Sequence, residues 1–139
     1  MCLQNCLLVP LQNKPIKCYK ILIQNGAWYH VKKFTAPFQI DFRYIIGETY
    51  NENNQSYYKQ FLEVIHDCYF HSFKYLEDCY KFIETYPKSD FRKHQKLVIV
   101  ECEIPINSAC YEGEFSYWAM KSYCCSYASK SITLKRIIK

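Results

Sequence analysis

An α+β domain is the fold this sequence predicts: an antiparallel-rich sheet of about five strands, with one main helix packed on one face. Three observations carry the prediction. KLVIVECEI at 96–104 places Val98, Val100, Cys102 and Ile104 on one side and Glu101 and Glu103 on the other, the period of a strand. Leu76, Cys79, Tyr80 and Ile83 recur at helical spacing within SFKYLEDCYKFIETYP. Pro105 and Pro87 then stop the strand and the helix.

Taken in order, residues 1–16 read as an irregular lead-in, since Pro10 and Pro15 interrupt regular structure. CYKILIQ and AWYHVKKF flank Asn25-Gly26, the pair that best tolerates the positive φ of a tight type I′ hairpin turn. FQIDFRYIIG, rich in aromatic and β-branched residues, predicts a third short strand ending near Gly47. The polar residues 48–60 predict a loop, and FLEVIHDCYFHSF a strand leading to the helix. Ser72 is one N-cap candidate, with a start nearer Tyr75 as the other, and Glu77 and Asp78 suit the positive end of the helix dipole.

Leu97 and Ile99 add apolar residues to the polar side of KLVIVECEI, so its first half is expected to be buried on both faces and the strand to be central. Beyond Pro105 the chain is expected to leave the sheet and deliver Tyr111 to a sheet edge. EFSYWAMKSYCCSYASK reads as an aromatic and small-residue loop, and SITLKRIIK as a terminal strand. No repeat or linker divides residues 1–139, which form one domain.

Composition bounds the function classes. Half the residues are hydrophobic and Gly and Pro are few, which excludes a disordered or collagen-like chain. Nine cysteines are an odd number with no C-x-x-C pair, and MCLQNCLLVP lacks the basic start of a signal peptide. Reduced core thiols and a cytoplasmic location are therefore expected. No segment approaches the length of a membrane helix. The net charge of +5 includes clusters at Lys88, Arg92, Lys93 and Lys96 and at Lys130, Lys135, Arg136 and Lys139. These read as solvated surface with some attraction for phosphate. Sequence-specific DNA binding is disfavoured, because no basic helix has a groove-reading pattern.

Specific chemistry is sparse. His66, Cys68 and His71, with Asp67 between and Cys2 and Cys6 distant, lack the paired spacing of a zinc site, so no metal is assigned. Three glycines form neither common phosphate loop, and no cofactor is expected. No cysteine carries a nucleophile signature, and Glu112 and Glu114 read as turn residues. The remaining route to a ligand is an anion at the helix start. His71 and Ser72 would sit there, Lys20, Arg43 and Lys74 would supply charge, and Tyr69, Tyr111 and Tyr127 would supply stacking faces. The opposing expectation is that Ser72 caps the helix and His71 packs beneath it.

Read together, MCL, CYKIL, FRYIIGETY, CYFHSFKYLEDC, VECEIPINSACYEG and YASKSITLKRII resemble, in the same order, small proteins of bacteriophage and prophage genomes. In that family a Gly usually precedes the His-Ser-Phe triplet, where this chain has Tyr69-Phe70. The resemblance implies a mobile-element setting and no reaction. The expected function is a non-enzymatic binding protein of phage or mobile-element origin. Its expected role is counter-defence, sequestering a nucleotide-type ligand or blocking a host defence protein, with a homo-oligomer among the expected forms. The alternative is a small nucleotide-acting enzyme resembling a degenerate ADP-ribosyl transferase, which needs His71, Tyr111 and Glu112 or Glu114 to converge.

Overall fold

The computed structural model describes residues 4–25, 33–36, 39–51, 70–85, 95–115 and 124–138. They form β1 (Gln4–Leu8), β2 (Ile16–Asn25), β3 (Lys33–Ala36), β4 (Gln39–Tyr44) and β5 (Thr49–Asn51). After these come β6 (Phe70–Phe73), α1 (Leu76–Thr85), β7 (Gln95–Ile104), β8 (Cys110–Phe115), β9 (Cys124–Ser129) and β10 (Ser131–Ile137). All ten strands join one antiparallel sheet, in the path β1-β8-β9-β6-β2-β7-β10-β5, with β3 attached to β2 and β4 to β3. The architecture is mostly β with one helix, and the sheet is larger than the five strands expected.

β7 is the central strand, as its apolar first half predicts. It pairs with β2 without a break from Ile16–Ile104 to Asn25–Gln95, and with β10 on its other side. Val98, Val100, Cys102 and Ile104 join Cys18, Leu22, Tyr44, Phe70, Cys110, Tyr127, Ile132 and Leu134 in one core. Those residues come from strands far apart along the path, so the sheet curls around this inner core. Ile21 and Ile99 project to the opposite face, where Phe73, Cys79, Phe82, Phe115, Cys124 and Ala128 form a second core beneath α1. Phe73 stands at the centre of its aromatic contacts, 5.8 Å from both Phe82 and Phe115.

Several expectations are corrected. The extra strands come from segments read as irregular: β1 from the lead-in, β5 from the polar loop, β8 from the segment beyond Pro105 that was expected to leave the sheet with Glu112 and Glu114 in a turn, and β9 from the aromatic stretch. Their Cys, Ser, Asn and Gly content hides a strand that is specified by its neighbours on the sheet rather than by propensity. Asn25 is paired with Lys33, and Gln24 with Phe34, so β2 and β3 form a hairpin whose connection spans 26–32. A two-residue Asn-Gly turn would instead pair Gln24 with Ala27. AWYHV, residues 52–69 and residues 116–123 lie outside the described residues. On α1, Phe82 is buried and Tyr80 is exposed, so the buried stripe is rotated from the one expected.

The β9–β10 corner explains how the sheet curls. Only Lys130 separates these two strands, yet β6, β2 and β7 lie between them in the sheet. A chain that turns this sharply carries its strand from one wall of the core to the other. The turn after β7 pins the corner. Lys130 N–H donates to Ala109 O at 2.9 Å, and Ser131 N–H donates to Ser108 Oγ at 3.1 Å. Asn107 makes this turn possible by adopting φ 62°, a left-handed conformation that Asn tolerates.

Two stability predictions follow from this packing. Ile99→Ala, at a position with no exposure in the helix-side core, is expected to cost about 3–4 kcal/mol in urea unfolding, against under about 0.5 kcal/mol for the exposed Ile45→Ala. Ser108→Ala, which strips the corner amide of its acceptor, is expected to cost about 1–2 kcal/mol. Loss no greater than the surface control at both positions would contradict this reading of the packing.

Candidate functional site

Strand alternation sorts the expected site residues into two sets. Ser72 in β6 stands opposite Tyr127 in β9, and Tyr127 stands opposite Glu112 in β8. Lys20 belongs with this set, because it alternates with Cys18 and Leu22 of the inner core. One position along each strand, His71 stands opposite Ala128 and Ala128 opposite Tyr111, on the face that carries α1. Tyr111 lies within β8, between β1 and β9, and not at a sheet edge as expected. Arg43 is in β4, paired with Thr35, and Tyr69 lies outside the described residues together with His66, Asp67 and Cys68.

The helix-start site is not formed. His71 and Ser72 are strand residues, and α1 begins at Leu76 with Asp78 N–H donating to Tyr75 O at 3.2 Å. Ser72 therefore caps nothing. Its hydroxyl is buried beside the Cys18 thiol without meeting hydrogen-bond geometry. The cause is the pairing of β6 with β9, which extends the chain through Phe73 and leaves only Lys74 and Tyr75 before the helix.

Lys20 is the most unusual group, at 5 % exposure. It lies where the two walls of the sheet diverge: β2 and β6 share only the Tyr19–Phe73 pair. The Lys20 ammonium bridges that seam by donating to the backbone carbonyl of His71 at 2.7 Å. It also lies 5.3 Å from the centre of the Tyr44 ring, within cation–π range. A charge-assisted hydrogen bond contributes about 1.5–3 kcal/mol and a desolvated cation–π contact about 2. Stripping water from an ammonium costs several kcal/mol. Desolvation wins: burial pushes the Lys20 pKa down to about 8, against a weaker opposing pull from Cys102 and Cys18.

Around it the interior holds its acids protonated. Burial pushes the Cys18 and Cys110 thiols up to about 12, and raises Cys102 and the Tyr44 phenol further. Burial likewise raises Tyr127 to about 12, although Lys74 pulls it back. These groups are poor nucleophiles at neutral pH, since the thiolate is the reactive form. Lys74 donates to Glu112 at 2.6 Å at the margin of this set, and its ammonium also lies 5.6 Å from the Tyr75 ring. Among the described residues no cluster of His, Cys, Asp and Glu could hold a metal, and no helix is long and apolar enough to cross a membrane.

Sequence reasoning selected Lys20 for its charge and missed its surroundings, Cys18, Tyr44 and Cys102. The signal was present in CYKILI, where Lys20 shares the parity of Cys18 and Leu22 and must follow them inward. Tyr44 could not be found this way, because β4 reaches the inner core only through the curl of the sheet.

Lys20 yields a pH prediction. Below about pH 8 both folded and unfolded chains carry its proton; between about 8 and the ordinary value of 10.5 only the unfolded chain does. Folding stability from this position therefore rises with pH across that window. The buried thiols act oppositely, above their ordinary value of 9, so wild type must be compared with Lys20→Met, which shares them. The stability of wild type relative to the variant is expected to increase by on the order of 3 kcal/mol between pH 7 and pH 11 in urea unfolding. A pH-independent difference would refute it.

No protein family, no curated protein and no solved structure matches the chain.

Proposed function

We propose that this chain is a non-enzymatic binding protein of phage or mobile-element origin, acting in counter-defence by contact with a host protein. The setting rests on the resemblance of its phrases to phage proteins. The observation that favours a protein over a nucleotide is the placement of the polar candidates. Lys20, Ser72 and Tyr127 are buried in the inner core, where neither stacking nor phosphate contact reaches them. Large apolar side chains stand outside instead, including Ile45 at 62 % and Ile106 at 50 % exposure. Exposed apolar side chains of this size suit the anchor positions of protein interfaces.

The enzymatic alternative draws less support. It asks His71, Tyr111 and Glu112 to converge, whereas His71 and Tyr111 flank Ala128 on the helix side and Glu112, of opposite parity, is held by Lys74. Glu114 shares the parity of Glu112.

The test pairs two measurements on the purified protein. A thermal-shift panel of cyclic and ADP-ribose-derived nucleotides, with NAD, is expected to leave the Tm within a degree and NAD unconsumed. Immobilised protein is expected to retain a host protein, with at least tenfold loss in Ile45→Glu or Ile106→Glu variants that keep the wild-type Tm. A nucleotide that raises the Tm by several degrees, or turnover of NAD, would overturn the reading, as would retention unaffected by both substitutions.

A further inference from the structure

We infer that β1 is a self-association edge, and that its partner is a second copy of this chain, paired antiparallel about a two-fold axis to continue the sheet. β1 ends the strand path and, among the described residues, pairs only with β8. Leu7 and Leu8 project to opposite faces of that strand, yet they are 75 % and 62 % exposed. Among residues 7–9, Val9, just beyond the strand, packs against the inner core. An uncharged strand at a sheet edge with both its leucines exposed presents a template for another strand.

The backbone points the same way. Val9 N–H donates to Cys110 O at 2.8 Å, so Val9 faces β8. Strand alternation then turns the N–H and C=O of Leu8 away from β8, toward the open edge.

Charge selects the occupant. Residues 1–13, MCLQNCLLVPLQN, contain no charged side chain, and the first is Lys14. The chain carries +5 overall, so two copies repel unless they meet through a neutral surface. Two-fold pairing sets each residue of a strand against residues of the same strand, and a charged edge would then oppose itself. β1 has no such conflict. The other margins differ: Glu48 adjoins β5, β3 begins at Lys33, and β4 carries Asp41 and Arg43. A neutral, leucine-bearing strand in a cationic chain is self-complementary. Five strand residues with Leu11 make a contact smaller than a standard interface, so the dimer is expected to depend on concentration.

This association is independent of the host contact proposed above, because it is measured on purified protein alone. Light scattering after size exclusion is expected to show the mass rise from 16.7 kDa toward twice that value as concentration increases over the micromolar range. Leu8→Lys, which puts like charges across the two-fold axis, is expected to remain at the monomer mass with an unchanged circular dichroism spectrum. Should that variant fail to fold, amide exchange of wild type decides. The outward Leu8 N–H is expected to gain at least tenfold protection on going from dilute to concentrated protein. A wild-type mass that stays monomeric, a folded Leu8→Lys that still dimerises, or a Leu8 amide unprotected in the dimer would each overturn the inference.

Discussion

The unbroken ladder between β2 and β7 is the constraint on which the rest of the structure depends. Its register runs from Ile16–Ile104 to Asn25–Gln95 with no bulge. It decides at once that Cys18, Leu22, Val98 and Cys102 face the inner core and that Ile21 and Ile99 face the helix. A slip of one residue would exchange these sets and bring Glu101 and Glu103 into the inner core. Here they sit on the other side, where Lys17 and Arg136 each approach Glu101 to 2.9 Å and Lys135 lies 3.6 Å from Glu103. The carboxyl of Glu101 is held below its usual range by hydrogen bonds from Lys17 and Arg136. Apolar burial and charge placement thus specify the same register.

That register also commits Lys20 to the interior, which the sheet accommodates at its seam. β6 leaves β2 after one residue pair. The Lys20 ammonium donates to His71 O across that divergence. The same divergence opens the space that Tyr44 and Tyr127 help to fill. A residue selected as a ligand-binding cation is accounted for by the architecture, and with it the leading argument for a nucleotide trap weakens. Large apolar side chains left at the surface include Ile45 and Ile106 at turns and Leu7 and Leu8 on β1.

Two phrases of the sequence gain a structural meaning. IPINSACYEG contributes the turn with Asn107 and the acceptor Ser108, and YASKSITL contributes the corner that the turn holds. The two phrases meet in space at the point where the sheet folds over its inner core. A structural joint accounts for Ser108 without requiring a binding role.

The sequence by itself determined the elements whose pattern is local. β7 with its two-sided first half, the position of α1 near Leu76 and the alternation of Ile132 and Leu134 in β10 were all legible, because a period of two or of 3.6 is written into consecutive residues. The parity that Lys20 shares with Cys18 and Leu22 is also written in CYKILI, but Lys20 was read there only as a cation for a ligand. Only the tertiary structure decided that β1, β5, β8 and β9 are strands, since their polar and small residues acquire hydrogen bonds from neighbours distant in sequence. It likewise decided that His71 and Ser72 belong to a strand and that Lys20 ends beneath the His71 carbonyl. Those outcomes depend on which strands become neighbours and how the sheet curls, and that free energy belongs to the assembled pairs rather than to any one segment.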